Sequence, residues 1–255
     1  MKSYLVPTDF TSASENSLQL AIDLIQKNGG EIHLLNFCES ESDLEHSNEQ
    51  LNAIEVPDNI PIFRHARIGN YTEIGNVATE LAAELIFMGT HGAKGLQKIK
   101  GSNALKTVKA SATPYIIVQD GSITSNFENV IVPISFNIEN LQKLKAVKDL
   151  ALAFNSTVHL MYSWPKEDHQ RTLIADNLRH AKEYLEDQSI KFSLSKSAGN
   201  FNKDTVRLAQ LKNAGLIAIM YLKKSNFGSI GKNYEQELLE NKLKVPVLIM
   251  NPVKY

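Results

Sequence analysis

The stretch Leu85-Ile86-Phe87-Met88-Gly89-Thr90-His91-Gly92 runs from an apolar segment straight into glycines, and Gly101-Ser102-Asn103 follows after eight further residues. The apolar run predicts a buried strand. A glycine-rich turn between a strand and a helix brings backbone N–H groups together at the positive end of the helix dipole, which is a phosphate-binding arrangement. The pattern therefore indicates a nucleotide as the first ligand to consider, with a purely steric role for the glycines as the alternative.

The chain repeats itself at long range. The recurring pairs are residues 4–10 with 130–136, 31–35 with 157–161, 85–88 with 216–220, and 113–118 with 245–250. The first two pairs are offset by 126 positions and the later two by about 132. A period this long indicates two copies of a whole domain, because solenoid repeats span roughly 20 to 50 residues. We predict domains at 1–122 and 127–255, joined by a short polar linker.

Helical patterns alternate with the apolar runs in both copies. In the first copy, Ser12 to Glu15 predicts a capping box, the next turns carry an apolar stripe, and Gly29-Gly30 ends the helix. The stripe consists of Leu18, Ala21, Ile22 and Ile25. Such alternation predicts an α/β fold with two tandem doubly wound domains, each with a mainly parallel five-stranded sheet. Ligands then bind at the carboxyl ends of the strands, where Asp9 and the glycine turn meet.

Composition excludes several classes of function. The formal net charge of −1 over 255 residues gives no broad attraction to nucleic acid or to an anionic membrane. The single cysteine, Cys38, rules out an internal disulfide, and we predict that it is an inert residue at a strand end. Residues 1–3 lead directly into a strand pattern, and no apolar run approaches the roughly 20 residues that span a bilayer. We expect a cytoplasmic protein that binds neither nucleic acid nor membrane.

Several of these segments together resemble a universal stress protein domain. They are Val6-Pro7-Thr8-Asp9-Phe10, Met88-Gly89-Thr90-His91-Gly92, Gly101-Ser102 and Thr113-Pro114. The resemblance covers nearly the whole chain as a tandem pair, and it implies the Rossmann-like, adenine nucleotide α-hydrolase-like fold. Nucleotide-binding members carry a G-x2-G-x9-G-[S/T] motif, so the resemblance implies an ATP site in the first domain, with or without Mg2+.

The resemblance also implies a role for each matching residue. Asp9 would face the adenosine, and Pro7 and Thr8 would shape the floor of the site. The remaining positions are Met88, Gly89, His91 and Gly92 along the ribose and first phosphates, Gly101, Ser102 and Asn103 along the later phosphates, and Phe37 near adenine. The family usually has a smaller aliphatic residue at that last position, and Phe37 either stacks on the base or crowds it.

One departure from the motif bears on phosphate binding. Eight residues separate Gly92 from Gly101, where the family pattern has nine. A missing residue shifts the loop N–H groups by up to about 3.8 Å, which is enough to lose a phosphate. Lysines 94, 98 and 100 either offset this loss through their charge or are ordinary surface lysines. The alternative function is therefore a ligand-independent interaction module.

The second copy departs further from the motif. Ser135 replaces Asp9, and Tyr221-Leu222-Lys223-Lys224 replaces the turn from Gly89 to Gly92. A tyrosine puts a Cβ where a phosphate would need close backbone approach. We predict a degenerate copy that binds no ATP and packs against the first domain. The alternative is a site for a different small ligand beneath Met220, Tyr162 and Trp164.

Other chemistry is sparse. The histidines show no H-x3-H or H-E-x-x-H spacing, and neither a G-x-S-x-G elbow nor a P-loop lysine motif is present. We therefore predict no catalytic residue and no metal site, with slow ATP hydrolysis left open. His33 and His159 occupy equivalent strand positions, which indicates a structural role. Residues 39–58 carry seven acidic side chains and no Lys or Arg, and their weak apolar stripe predicts a partly helical excursion.

The function that follows is a stress-response sensor or adaptor in which ATP occupancy of the first domain biases conformation or assembly. An adenine nucleotide is the expected partner molecule. The two copies are expected to form an intramolecular pseudo-dimer through their apolar fifth strands, with a further homodimer left open. A third alternative, an ATP-consuming transferase or ligase, is opposed by the lack of a second substrate motif.

Overall fold

The computed structural model describes residues 2–90, 101–122, 127–221 and 234–253. The chain divides into two compact units, Met1–Ser125 and Asn126–Tyr255. Each unit is a parallel sheet covered by helices, so the predicted α/β, doubly wound fold class is confirmed. The assignment of the units as repeated domains at 1–122 and 127–255 stays a prediction. In the described part of the chain, none of the helices is long and apolar enough to cross a membrane.

The first unit alternates strands and helices. Its elements are β1 (Ser3–Pro7), α1 (Ser12–Asn28), β2 (Glu31–Cys38), α2 (Leu44–Ala53), β3 (Ile62–Ile68), α3 (Ile74–Glu80), β4 (Leu85–Thr90), α4 (Gly101–Lys109) and β5 (Tyr115–Gln119). The strands lie in the order β3-β2-β1-β4-β5 and pair in parallel. The order reverses between β1 and β4, which creates a crevice at their carboxyl ends.

The second unit repeats this topology. Its elements are β6 (Asn129–Ile134), α5 (Lys143–Phe154), β7 (Thr157–Tyr162), α6 (Asp168–Asp187), β8 (Lys191–Lys196), α7 (Phe201–Leu211), β9 (Leu216–Met220), α8 (Tyr234–Leu239) and β10 (Val247–Met250). A short 3-10 helix, Ile138–Gln142, precedes α5. The strand order β8-β7-β6-β9-β10 reverses between β6 and β9, as the order in the first unit reverses between β1 and β4.

Helix α1 shows how local sequence sets an element. Its four predicted stripe residues are all buried, and Gly29 ends it at φ 68° with its N–H donating to the carbonyl of Ile25. The predicted capping box at Ser12 and Glu15 is wrong by one residue. Thr11 is the N-cap, and its backbone N–H donates to Ser14 Oγ at 3.1 Å. A hydroxyl at Ser14 reaches that N–H because it stands three residues into the helix.

The acidic segment 39–58 is partly helical, as predicted, because it contains α2. Leu51 is fully buried beneath this helix. Arg64 on β3 donates from Nε to the carbonyl of Leu51 and from Nη2 to the carbonyl of Ile54, both at 2.9 Å. A guanidinium at a helix carboxyl end satisfies carbonyls that have no partner inside the helix. Arg64 therefore fastens α2 to the edge strand of the first sheet.

Candidate functional site

The crevice of the first unit opens because β1 and β4 separate towards their carboxyl ends. The two strands pair through Tyr4 with Leu85 and Leu5 with Ile86. Beyond these pairs, β1 ends at Pro7, and β4 continues through Gly89 to Thr90. Pro7, Thr8 and Asp9 therefore stand on one side of the crevice, and Met88 and Gly89 stand on the other. This is the position where doubly wound sheets bind ligands.

The floor of the crevice is held rigidly through Thr8. Its backbone N–H donates to the carbonyl of Leu35 at 2.7 Å, and its carbonyl accepts from Asn36 Nδ2 at 2.7 Å. Asn36 Oδ1 in turn accepts from Ser47 Oγ at 2.7 Å, which joins this turn to α2. All three polar side chains are buried. Because its backbone is fully hydrogen-bonded, Thr8 supplies shape to the crevice instead of a free backbone donor.

Asp9 is exposed at the rim of the crevice. Its Oδ1 accepts from Thr11 Oγ1 at 2.5 Å and from the Thr11 backbone N–H at 3.3 Å. Among the described residues, Oδ2 of Asp9 has no hydrogen-bond donor. A second carboxylate, Asp120 at the end of β5, accepts from Ser12 Oγ at 2.8 Å. The start of α1 is thus flanked by two of the protein's own carboxylates, which disfavours an external anion there.

Gly89 has a steric reason to be glycine. A Cβ at this position would lie 2.4 Å from the carbonyl carbon of Ala13 and 2.6 Å from the backbone nitrogen of Ser14. The first turn of α1 therefore packs directly on the backbone of β4. The close approach accounts for this glycine without any ligand.

Phe37 lies near the end of β2 and is only 8% exposed. Pro7 pairs with Leu35 in the sheet, so Phe37 stands two residues further on, at the level of Asp9. Its ring packs towards Gly69, which follows β3.

The structure brings six of the predicted site residues to the carboxyl edge of the first sheet. They are Pro7, Thr8, Asp9, Phe37, Met88 and Gly89. Helix α4 begins at Gly101, and the predicted phosphate contacts of Gly101, Ser102 and Asn103 stay predictions. His91 and Gly92 lie outside the described residues.

Sheet register corrects the predicted correspondence between the two glycine turns. Val130 pairs with Leu216 as Tyr4 pairs with Leu85. Counting from these pairs, Met220 and not Tyr221 takes the place of Gly89. The correction arises because spacing alone could not show where the one-residue difference between the copies falls. Met220 is fully buried.

The second unit also changes the segment that faces this position. At the constant offset of 126, the first turn of α1 corresponds to the 3-10 helix Ile138–Gln142, so α5 begins only at Lys143. A methionine side chain cannot share the space that the backbone of α1 occupies against Gly89. The α-helical turn and the glycine are therefore lost together.

Lys143 is a buried amine that the sequence-based prediction missed. It is fully buried, and its Nζ donates to the carbonyl of Pro133 at 2.7 Å, to the carbonyl of Asn140 at 2.9 Å and to Asn140 Oδ1. Burial lowers the pKa of this amine well below its ordinary value. Pro133 is the counterpart of Pro7, so the second unit places its own amine beside the strand that borders its crevice. The one sequence signal for this buried amine is that Lys143 stands at the position where the first copy has Ser17.

The two equivalent histidines, His33 and His159, are both buried and hydrogen-bonded within their sheets. His33 Nδ1 lies 3.0 Å from His65 Nε2, and His33 Nε2 lies 3.3 Å from Glu31 Oε1. His159 Nδ1 lies 2.7 Å from Ser193 Oγ, and its Nε2 lies 2.8 Å from Asn129 Oδ1. Desolvation lowers the pKa of His159 to about 4 and also lowers the pKa of His65.

Metal ligation finds no support in the described ranges. Within residues 2–90, 101–122, 127–221 and 234–253, no group of three or more His, Cys, Asp and Glu side chains could hold a metal ion. Cys38 is buried, its Sγ donates to the carbonyl of Arg67 at 3.4 Å, and burial raises its pKa. A thiol with a raised pKa is a poor nucleophile.

No family model and no curated protein matches the sequence. Solved structures do. A universal stress protein from Archaeoglobus fulgidus DSM 4304 superposes with a TM-score of 0.70 at 22% identity, covering 98% of each chain. A protein from Pseudomonas aeruginosa UCBPP-PA14, provisionally assigned to the universal stress proteins, gives 0.67 at 13% identity, covering 99% of this chain and 94% of its own.

A third match shows that the fold does not decide the role. The cytoplasmic domain of a prokaryotic cation chloride cotransporter gives a TM-score of 0.62 at 10% identity, covering 97% of this chain and 94% of that domain. The chain therefore has the fold of universal stress proteins over its whole length, and the predicted resemblance is confirmed at the level of the fold. Function has to be argued from the site.

Proposed function

We propose that the first unit binds ATP at the carboxyl edge of its sheet and that the chain acts as a non-enzymatic stress-response sensor or adaptor. One observation carries the proposal, namely the contrast between the two crevices. The first crevice is bordered by the exposed carboxylate of Asp9 and by Gly89, the first glycine of the motif. In the second unit, Met220 takes the place of Gly89, and the amine of the buried Lys143 donates to the carbonyl of Pro133, the counterpart of Pro7. The first unit thus keeps an exposed carboxylate at this position, where the second unit has the buried Ser135.

The distribution of charged residues around the crevice supports one orientation of the nucleotide. Asp9 and Asp120 flank the start of α1, so a phosphate is repelled there. Helix α4 begins at Gly101 without an acidic residue in its first turn. The first N–H groups of a helix have no partner within the helix, and they favour an anion. The triphosphate then lies towards α4, and the nucleoside lies over β1. In that orientation, Oδ2 of Asp9 is available to accept a ribose hydroxyl.

A sensor role requires no chemistry on the nucleotide. ATP switches the protein only if two of its states bind the nucleotide unequally. The intramolecular pseudo-dimer and a further homodimer are the assemblies on which such a difference would act, and both stay predictions.

A ligand-independent interaction module is the second candidate. The eight-residue spacing between Gly92 and Gly101 favours it, because the loop is one residue shorter than the nucleotide motif requires. In this case the carboxyl edge of the first sheet serves as a docking surface or has no ligand at all.

Isothermal titration of nucleotide-stripped protein with Mg-ATP separates the two candidates. The proposed function predicts one site per chain. An absence of heat at millimolar ATP, together with no shift in melting temperature, would support the ligand-independent module.

A further inference from the structure

The carboxyl ends of β2 and β3 meet in a corner that the chain fills with its own side chains. Phe37 is the last residue but one of β2, and it pairs with Arg67 on β3. The backbone N–H of Gly69 donates to the carbonyl of Cys38 at 3.1 Å, which ties the two strand ends together. Only 8% of Phe37 is exposed, so little of its ring is open to solvent.

Gly69 allows the ring to occupy this corner. Its φ of 152° favours glycine, and a Cβ there would lie 3.1 Å from Phe37 Cδ1 and 2.9 Å from Glu73 Oε1. Glu73 is held in place because its Oε1 accepts from the backbone N–H of Asn70 at 3.2 Å. The phenyl ring and the carboxylate thus both pack against the bare glycine backbone and fill the corner.

This corner lies where the base of a bound nucleotide would be. A phosphate chain near the start of α4 places the nucleoside over β1, and the base then extends towards the end of β2. Phe37 stands at the level of Asp9, one strand further from β4. Stacking on a base requires an exposed aromatic face, and the face of Phe37 is covered.

We infer that the first unit recognises the triphosphate and ribose of its ligand and not the base, because Phe37 fills the space for a base pocket. This inference rests on the proposed function. The ligand class is therefore ribonucleoside triphosphates irrespective of base, and Phe37 is the residue that determines this low selectivity.

The test titrates the full chain with ATP, GTP, UTP and tripolyphosphate. The dissociation constants of the three nucleotides are expected to agree within about threefold, because a base that stacks on no side chain contributes little to the binding free energy. Tripolyphosphate is expected to bind more weakly, because it lacks the ribose that Asp9 contacts. Phe37→Val opens the corner and should raise affinity for ATP and GTP by about fivefold or more over UTP, since a purine buries more apolar surface in the opened space than a pyrimidine does.

Two further variants keep the result interpretable. Ile32→Val removes one methylene from the amino half of the same strand, where Ile32 is fully buried, and should leave all base ratios unchanged. Phe37→Leu replaces Phe37→Val if the latter fails to fold, with the same expected direction.

The inference and the proposed function fail differently. Wild-type protein that prefers ATP to GTP and UTP by tenfold or more would overturn the inference and leave the proposed function standing. Unchanged base ratios in both Phe37 variants would also overturn it. A chain that binds none of the four compounds would contradict the proposed function itself.

Discussion

Gly89 lies so close to Ala13 that a Cβ on the glycine would come within 2.4 Å of the alanine carbonyl carbon. The glycine next to the crevice thus fixes how α1 sits on β4. Because Asp9 hydrogen-bonds to the residue that caps α1, the same contact also positions Asp9.

Gly89→Ala should therefore destabilise the chain. The added methyl group meets backbone atoms, which cannot rotate away, and overpacking of this kind costs about 1 to 3 kcal/mol. Thermal or urea unfolding measures the loss. Gly199→Ala is the matched control, because a Cβ there has no atom within 4 Å, and it should leave the free energy of unfolding nearly unchanged. Equal effects of the two substitutions would contradict the packing of α1 on Gly89.

Lys143→Met should destabilise the second unit and leave ATP affinity unchanged. The substitution removes the donor for two carbonyls and for Asn140 Oδ1, and each buried acceptor without a partner costs about 1 to 3 kcal/mol. Because the substitution also removes a polar amine from a buried position, it recovers the desolvation cost of that amine and offsets part of this loss. Unfolding in urea gives the stability, and titration gives the affinity. Lys145→Met, on the exposed side of α5, is the control and should change neither quantity.

Stability should fall as the solution becomes acidic. The pKa of His159 is about 4 in the folded chain, below the roughly 6.5 of an unfolded histidine, so the folded state favours the neutral ring. The contribution is fully present above pH 6.5 and is lost as the pH falls towards 4, by up to about 3 kcal/mol.

The measurement is the melting temperature between pH 7.5 and 4. His159→Gln should flatten the profile, whereas His46→Gln should not, because the side chain of His46 is 72% exposed. A profile that keeps its full slope in His159→Gln would assign the effect to other groups, of which His65, with its lowered pKa, is the first to consider.

Asp9→Ala should weaken the binding of ATP more than the binding of tripolyphosphate. The carboxylate contacts the ribose in the proposed orientation, and the loss of one charge-assisted hydrogen bond corresponds to about tenfold in affinity. Tripolyphosphate lacks that contact and should bind unchanged or slightly more tightly. Parallel titrations of the two compounds give the comparison. Equal losses for both would place Asp9 beside the phosphates and contradict the orientation.

Much of the fold could be predicted from the sequence because its signals are local and repeated. The stripe from Leu18 to Ile25 marks the buried face of α1, and the apolar runs that recur at an offset of 126 mark the strands. The alternation of the two leads to a doubly wound sheet. The strand order itself was not predicted, although the rule that parallel connections are right-handed leaves few orders to consider.

The details of the site could not be predicted because they depend on contacts between distant residues. Whether the missing side chain of Gly89 makes room for a ligand or for the packing of α1 depends on how closely Ala13 approaches it. Nothing in the local pattern shows that the amine of Lys143 turns inward to Pro133, since a lysine at a helix start is usually solvated. The position of Met220 opposite Gly89 required the pairing of strands, which spacing along the chain does not reveal.

The central claim is that the first unit alone binds ATP, and calorimetric titration of two variants tests it most directly. Gly101→Val places a branched side chain at the start of α4, and Ser135→Ala alters the corresponding crevice of the second unit. We expect one site in the wild type, the same site in Ser135→Ala, and no binding in a Gly101→Val chain that keeps its wild-type circular dichroism. ATP binding that persists in Gly101→Val, or that is lost in Ser135→Ala, would contradict it.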